Sequence, residues 1–292
     1  MKFLAKKPHY EYLRKKWIAK HKASSEKFLT NNSASLRKMA IGGLGGLLLL
    51  TTPGMASGVP SSNIQNQSGI ESTEDKNAIL AAALKADIPK DNSNLTPEEE
   101  VKIQSILSEH LGINVKAELE GIRLNRTYGV IGGEQHLYRY PGDNLYKHAD
   151  NAADSAMYIP AGIAPGLGAW GYFASSESAF TEKEKQEEKY YLAVQTFLVP
   201  GYAENVKKYS TFFKHRKMVV VNPKTGQAVV AVIGDAGPSP WTGKHLGGSP
   251  EVMQEVGLAG GPRKGPVLYF FIDDAQNEVP LGPIKVRKGG LN

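Results

Sequence analysis

Residues 218–258 read MVVVNPKTGQAVVAVIGDAGPSPWTGKHLGGSPEVMQEVGL and hold the strongest strand, turn and helix-start signals of the chain. Two β-branched runs, Val219-Val220-Val221 and Val229 to Ile233, flank Asn222-Pro223-Lys224-Thr225-Gly226-Gln227. Pro223 and Gly226 are turn residues, so the pair predicts a β-hairpin. The second run ends on Gly234-Asp235-Ala236-Gly237-Pro238. A carboxylate at a strand end, followed by Gly and Pro, is held where the backbone turns away, and function concentrates on loops presented in this way. Ser249-Pro250-Glu251 then marks a helix start, with Ser at the cap and Pro in the first turn, and Gly257 stops the helix after Val256.

These residues resemble the double-psi β-barrel of the rare lipoprotein A family, which has expansin-like and cellulase-like relatives. The family pattern is a strand, an Asn-x-x-x-Gly turn, a strand ending in Asp-x-Gly-Pro, a basic loop, and a Ser-Pro helix start with a short helix ending in Leu-Gly. The matching residues are Asn222, Gly226, Asp235, Gly237, Pro238, Lys244, Ser249, Pro250 and Gly257. The resemblance implies a six-stranded barrel and, at Asp235, a catalytic carboxylate acting on wall glycans. Two positions depart from it. The family's second Asp, shortly before the helix, is absent from His245-Leu246-Gly247-Gly248-Ser249. The His that lytic members carry upstream of the hairpin falls on Tyr209 by ungapped counting and on Gln195 with a gap, and His215 is only a neighbour.

Composition bounds the rest. The chain has 292 residues, 31 Gly and 17 Pro, which favours a loop-rich β protein of one or two domains over a helical bundle. Its net charge of +6 is unevenly spread: residues 1–56 hold 11 Lys/Arg against 2 Asp/Glu, and the remainder is at −3. A nucleic-acid footprint is therefore not expected in the body of the chain. With no cysteine, disulfides, thiolate chemistry, Cys-ligated zinc and lipid attachment to a cysteine are all excluded.

The basic, polar residues 1–38 precede an uncharged Gly- and Leu-rich run, Met39 to Leu50, and a small-residue exit ending in Ala56. This is the pattern of a secretory signal, and the run is short of the roughly 20 residues a membrane span needs. Residues 1–56 are thus expected to be a signal peptide, with an uncleaved membrane anchor as the alternative. Residues 57–75 read as a flexible linker rich in Ser, Asn, Gln and Gly. A small helical segment is expected over 76–114, with Asn77–Ala86 and the strong start Thr96-Pro97-Glu98-Glu99-Glu100 leading to Leu111 and stopping at Gly112.

From Val115 to residue 275 the pattern is that of the barrel with an N-terminal extension. Val115–Glu120 alternates, and Arg126–Ile131 is strand-like. Gly162–Ala174, a Gly-rich lead into Trp170, Tyr172 and Phe173, resembles the family's first barrel strand. The Glu/Lys run Thr181–Lys189 reads as a solvated helix or an inserted loop. Tyr190–Val199 is expected to be a buried strand, Lys264–Ile272 the last strand, and 276–292 a tail, either an edge segment or disordered.

Asp235 is the candidate catalytic residue. A glycan-cleaving acid needs a carboxyl whose pKa is raised by partly apolar surroundings, and Val232, Ile233, Ala236 and Trp241 are near in sequence. The plainer alternative is that Asp235 caps its own turn. Hydrolysis would need a second carboxylate, for which Glu134 and Asp143 are candidates; a lytic transglycosylase needs only one, because the sugar's own hydroxyl is the nucleophile. Trp241, Lys244, His245, Tyr172 and Trp170 are the candidate substrate-binding residues, the aromatic ones as stacking platforms and the basic ones for carboxylates or acetamido groups.

His136, His148, Asp150 and Asp154 lack a compact ligand spacing, so no metal is expected. No phosphate-binding loop or Gly-x-Ser-x-Gly elbow is present, and no cofactor is expected. The expectation is an exported or envelope monomer that meets the membrane only through its leader and remodels peptidoglycan or another wall polysaccharide. The alternatives are a non-catalytic expansin-like binding module and, third, a structural envelope protein.

Overall fold

The computed structural model describes residues 73–287. Expectations for the leader, its cleavage after Ala56 and nearly all of the linker fall outside the described residues. In chain order the first elements are α1 (Thr73–Leu84), α2 (Pro97–Leu111), and the short strands β1 (Val115–Lys116), β2 (Glu118–Leu119) and β3 (Ile122–Arg123). Next come β4 (Tyr128–Gly133), α3 (Ala152–Tyr158), α4 (Glu182–Lys189), β5 (Tyr191–Val194) and α5 (Val206–Phe213). β6 (Lys217–Val221), β7 (Ala228–Ala236), β8 (Leu246–Gly248), α6 (Pro250–Glu255), β9 (Lys264–Ile272) and β10 (Gly282–Pro283) complete the chain. Among the described residues no helix is long and apolar enough to cross a membrane.

The sheet closes into a six-stranded barrel. β4 pairs in parallel with β8, β8 antiparallel with β5, and β5 in parallel with β7. β7 pairs antiparallel with β6, β6 with β9, and β9 back with β4. Closure satisfies the strand edges that an open sheet leaves bare. β1 extends β9 and β10 extends β7, so part of the 276–292 tail is a paired edge segment.

The β6–β7 hairpin forms one side of the barrel, in the register Met218↔Ala231, Val219↔Val230, Val220↔Val229. Its turn is built as the sequence predicts: Gly226 sits at φ 74° and its N–H donates to the Asn222 carbonyl. The unbroken MVVV run has a physical reason, because both faces of β6 are buried. Met218 and Val220 point into an interior core to which all six barrel strands contribute, with Ile131, Leu192, Val229, Ile233, Leu246 and Phe271 among its members. Val219 and Val221 face a second core, against Leu80 and Leu84 of α1 and Ile103, Leu107 and Leu111 of α2.

The two helices therefore share a core with the barrel's outer face. Each of these five leucine and isoleucine side chains, burying its apolar surface, contributes about 2 kcal/mol to that docking. α2 begins with a full capping box between Thr96 and Glu99 and ends on Gly112 in the left-handed conformation. α1 begins at Thr73, inside the stretch whose composition reads as linker.

Two sequence expectations are overturned here. The buried strand expected over Tyr190–Val199 ends at Val194, after which Thr196–Leu198 form a 3-10 turn with Phe197 and Leu198 exposed, and the strand expected within 162–174 does not form. Gly162–Ala174 is not a barrel strand; it carries only isolated bridges, His136↔Ile163 and Gly168↔Gly171. The first barrel strand is β4, at residues 128–133. The 162–174 segment belongs to a long excursion between β4 and β5 that reaches the end of β7 through Gly168 and Ala169.

Candidate functional site

Asp235 owes its position to an irregularity in β7. Along the β5–β7 pair the register runs Leu192↔Ile233 and then Ala193↔Asp235, so Gly234 is an extra residue. Regular alternation would give Asp235 the same face as the buried Ile233; an added residue re-aims the chain. Glycine is required at this point, because a Cβ on residue 234 would come within 2.7 Å of the Tyr191 Cβ. The Asp235 carboxylate meets the excursion instead: Oδ1 accepts from the backbone N–H of Ala169 at 2.7 Å and from that of Ala236 at 2.7 Å. Oδ2 has no protein partner among the described residues. Burial pushes the Asp235 carboxyl above its ordinary value, and the two backbone donors only partly offset this.

Gln195, at the end of β5, fastens the neighbouring loop. Its buried side-chain amide donates to the carbonyls of Pro238 (2.9 Å) and Lys244 (3.2 Å). Of the two residues that alignment with the family's histidine suggests, Gln195 is thus the one bonded to the turn after Asp235. Tyr209 lies on α5 with its hydroxyl on the Pro200 carbonyl.

The candidate binding residues divide into groups. Lys244 and His245 line a cleft of about 290 Å³ with Arg126, Asn125, Gln195 and Pro240. Lys244 Nζ lies 2.6 Å from Glu134 Oε1. His245 Nδ1 accepts from the Val130 N–H at 2.9 Å, which fixes the proton of the neutral ring on Nε2. Burial, with Arg126 and Lys264 nearby, holds the His245 pKa below its ordinary value. Trp241 stands on the adjacent 240–242 turn, 80 % exposed. Trp170 and Tyr172 do not line this cleft. The Trp170 indole donates to Ser210 Oγ at 2.9 Å and packs against the interior core, and Tyr172 is exposed beyond it.

The two candidates for a second carboxylate both have partners: Glu134 is paired with Lys244, and Asp143 is buried in a polar network the sequence does not announce. Arg139 donates through Nη2 to Asp143 Oδ1 (2.7 Å) and through Nε to Oδ2 (2.9 Å). His148 lies between two carboxylates, with Nε2 3.0 Å from Asp143 Oδ2 and Nδ1 3.1 Å from Glu188 Oε2. His136 Nδ1 is 3.3 Å from Glu188 Oε1, and its Nε2 is buried with no partner among the described residues.

Burial alone would neutralise these groups, yet the hydrogen bonds outweigh it. They hold Asp143 and Glu188 well below the usual carboxylate range and raise His148 to about 8. Glu251, in the first turn of α6, lacks such help. It is buried, neither carboxylate oxygen has a partner among the described residues, and burial together with the Glu188 charge pushes it up to about 8.

Sequence spacing does not pair His136 with His148; the fold does, and adds Glu188. Glu188 ends a Glu/Lys run that reads as solvated, but α4 buries Glu187 and Glu188 in its last turn, directly before the buried β5. Asp150 is not part of this cluster; it pairs with Lys185 and Lys189, each at 2.6 Å, and Asp154 bonds Asn151 at the start of α3.

No family model matches the chain, and neither the curated proteins nor the solved structures give a match. The functional reading therefore rests on the residues themselves.

Proposed function

We propose that this chain is an exported protein with a double-psi barrel of the rare lipoprotein A type, and that it cleaves peptidoglycan glycan strands lytically with Asp235 as general acid and base. The connectivity is supported by two parallel pairs, β4–β8 and β5–β7, each formed by barrel neighbours that are not consecutive along the chain. The observation that carries the chemistry is the state of Asp235. One carboxylate oxygen is fixed by two backbone N–H groups, the other has no protein partner among the described residues, and burial raises the pKa. A carboxyl so held gives a proton to a leaving glycosidic oxygen. As carboxylate it then takes the proton from the sugar hydroxyl that closes the anhydro ring. Asp143 is held by Arg139 and Glu134 by Lys244, so neither stands free to activate the water that hydrolysis needs, which favours this one-carboxylate route. Lys244, His245 and the exposed Trp241 would hold the wall polymer beside it.

A second reading, a non-catalytic wall-binding module, is favoured by the Ala169 contact, which lays the 165–169 segment against Asp235. Pelleting with insoluble wall separates the two. The enzyme is retained on the wall and clears the suspension, with clearing slowed as pH rises through the raised Asp235 pKa. Retention without clearing leaves the binding module, and absence of both rejects both readings.

A further inference from the structure

The geometry points to a metal site for one divalent transition ion of the zinc class, built from His136, His148 and Glu188. These three residues each offer a ligand atom, and the three atoms lie within 4.8 Å of one another. His136 Nδ1 lies 3.3 Å from Glu188 Oε1 and His148 Nδ1 lies 3.1 Å from Glu188 Oε2, so the two imidazole nitrogens flank one carboxylate. Two imidazoles and one carboxylate are a donor set suited to such an ion, and the absence of cysteine leaves no competing thiolate.

The surroundings are those of a ligand sphere rather than of a chance pair. His148 turns its second nitrogen to Asp143 Oδ2 at 3.0 Å, which sets the ring's orientation and the position of its proton. Asp143 is in turn gripped at both oxygens by Arg139. All five side chains are buried.

Placement gives the ion a task. His136 follows β4, and Glu188 immediately precedes β5, 52 residues later. An ion between them clamps the two ends of the excursion that includes the 162–174 segment, and with it the Ala169 N–H that reaches Asp235.

The test uses the full chain, unfolded with a chelator and refolded with Co2+ or Zn2+, because the site is sealed in the folded protein. After removal of free ion, close to one ion per chain is expected, with visible Co2+ bands of a four-coordinate nitrogen and oxygen site that Zn2+ abolishes. The metal-loaded protein also melts at a higher temperature than the metal-free one. Glu188→Gln loses the retained ion, and Asp143→Asn, which keeps all three ligands, weakens affinity 10–100-fold. Unmutated protein that retains no ion, or retention unchanged in both variants, overturns the inference. Should either variant fail to fold, stoichiometry, Co2+ spectrum and melting of the unmutated chain decide alone.

Discussion

Glu251 offers a quantitative test of the buried polar layer. It sits in the first turn of α6 with neither oxygen partnered among the described residues, and its pKa is pushed from the ordinary 4.5 to about 8 by burial first and the Glu188 charge second. The unfolded chain releases this proton near 4.5 and the folded chain retains it to about 8. Between those values the native state binds the extra proton, so stability is fully present below pH 4.5 and is lost as pH rises through about 8. At about 1.4 kcal/mol per pH unit, the loss is about 3 kcal/mol at pH 7 and about 5 kcal/mol above pH 8. Glu251→Gln keeps the shape and cannot ionise. Urea unfolding of the full chain and the variant at pH 5, 6.5 and 8 measures the difference directly. The variant is expected to gain on the unmutated protein by about 1.4 kcal/mol for each pH unit across this range. A difference that does not change with pH would show that Glu251 ionises normally and refute the reasoning.

Three further outcomes follow from particular contacts. Thr96→Ala removes half of the α2 capping box and should cost about 1 kcal/mol in urea unfolding. Gly226→Ala places a side chain at φ 74° and onto the Asn77 carbonyl of α1, so it should cost well above about 1 kcal/mol and lower the melting temperature. Lys244→Ala breaks a partly exposed pair with Glu134, so stability should change by less than about 1 kcal/mol while retention on insoluble wall falls in a pelleting assay.

The parts of the fold legible in the sequence are those specified locally. The hairpin is set by Pro223 and Gly226 between β-branched runs, α2 by Thr96 and Gly112, and α6 by Ser249 and Pro250. The 162–174 segment misleads because aromatic residues after glycines look like a strand. Here Trp170 owes its burial to Ser210 and the core rather than to a ladder of backbone bonds.

The site divides in the same way. Asp235 is visible because its turn chemistry is local, whereas the bulge that aims it depends on the pairing with β5. His136, His148 and Glu188 are far apart in sequence, and nothing in the charge run shows that its last glutamates face inward. Only the packing of α4 against the barrel end makes them a cluster. Lys244 and His245 do share a cleft, but Trp170 lies outside it, since an indole whose N–H is satisfied inside the fold is a packing residue.

If Asp235 carries the proposed glycan-cleaving step, the products released from the wall reveal it. The most direct measurement is mass spectrometry of the soluble products released from purified peptidoglycan by the full chain and by Asp235→Asn. Anhydro-muropeptides are expected from the unmutated protein and none from the variant. Identical products at equal rates from both, or no product from either, would contradict the proposed step.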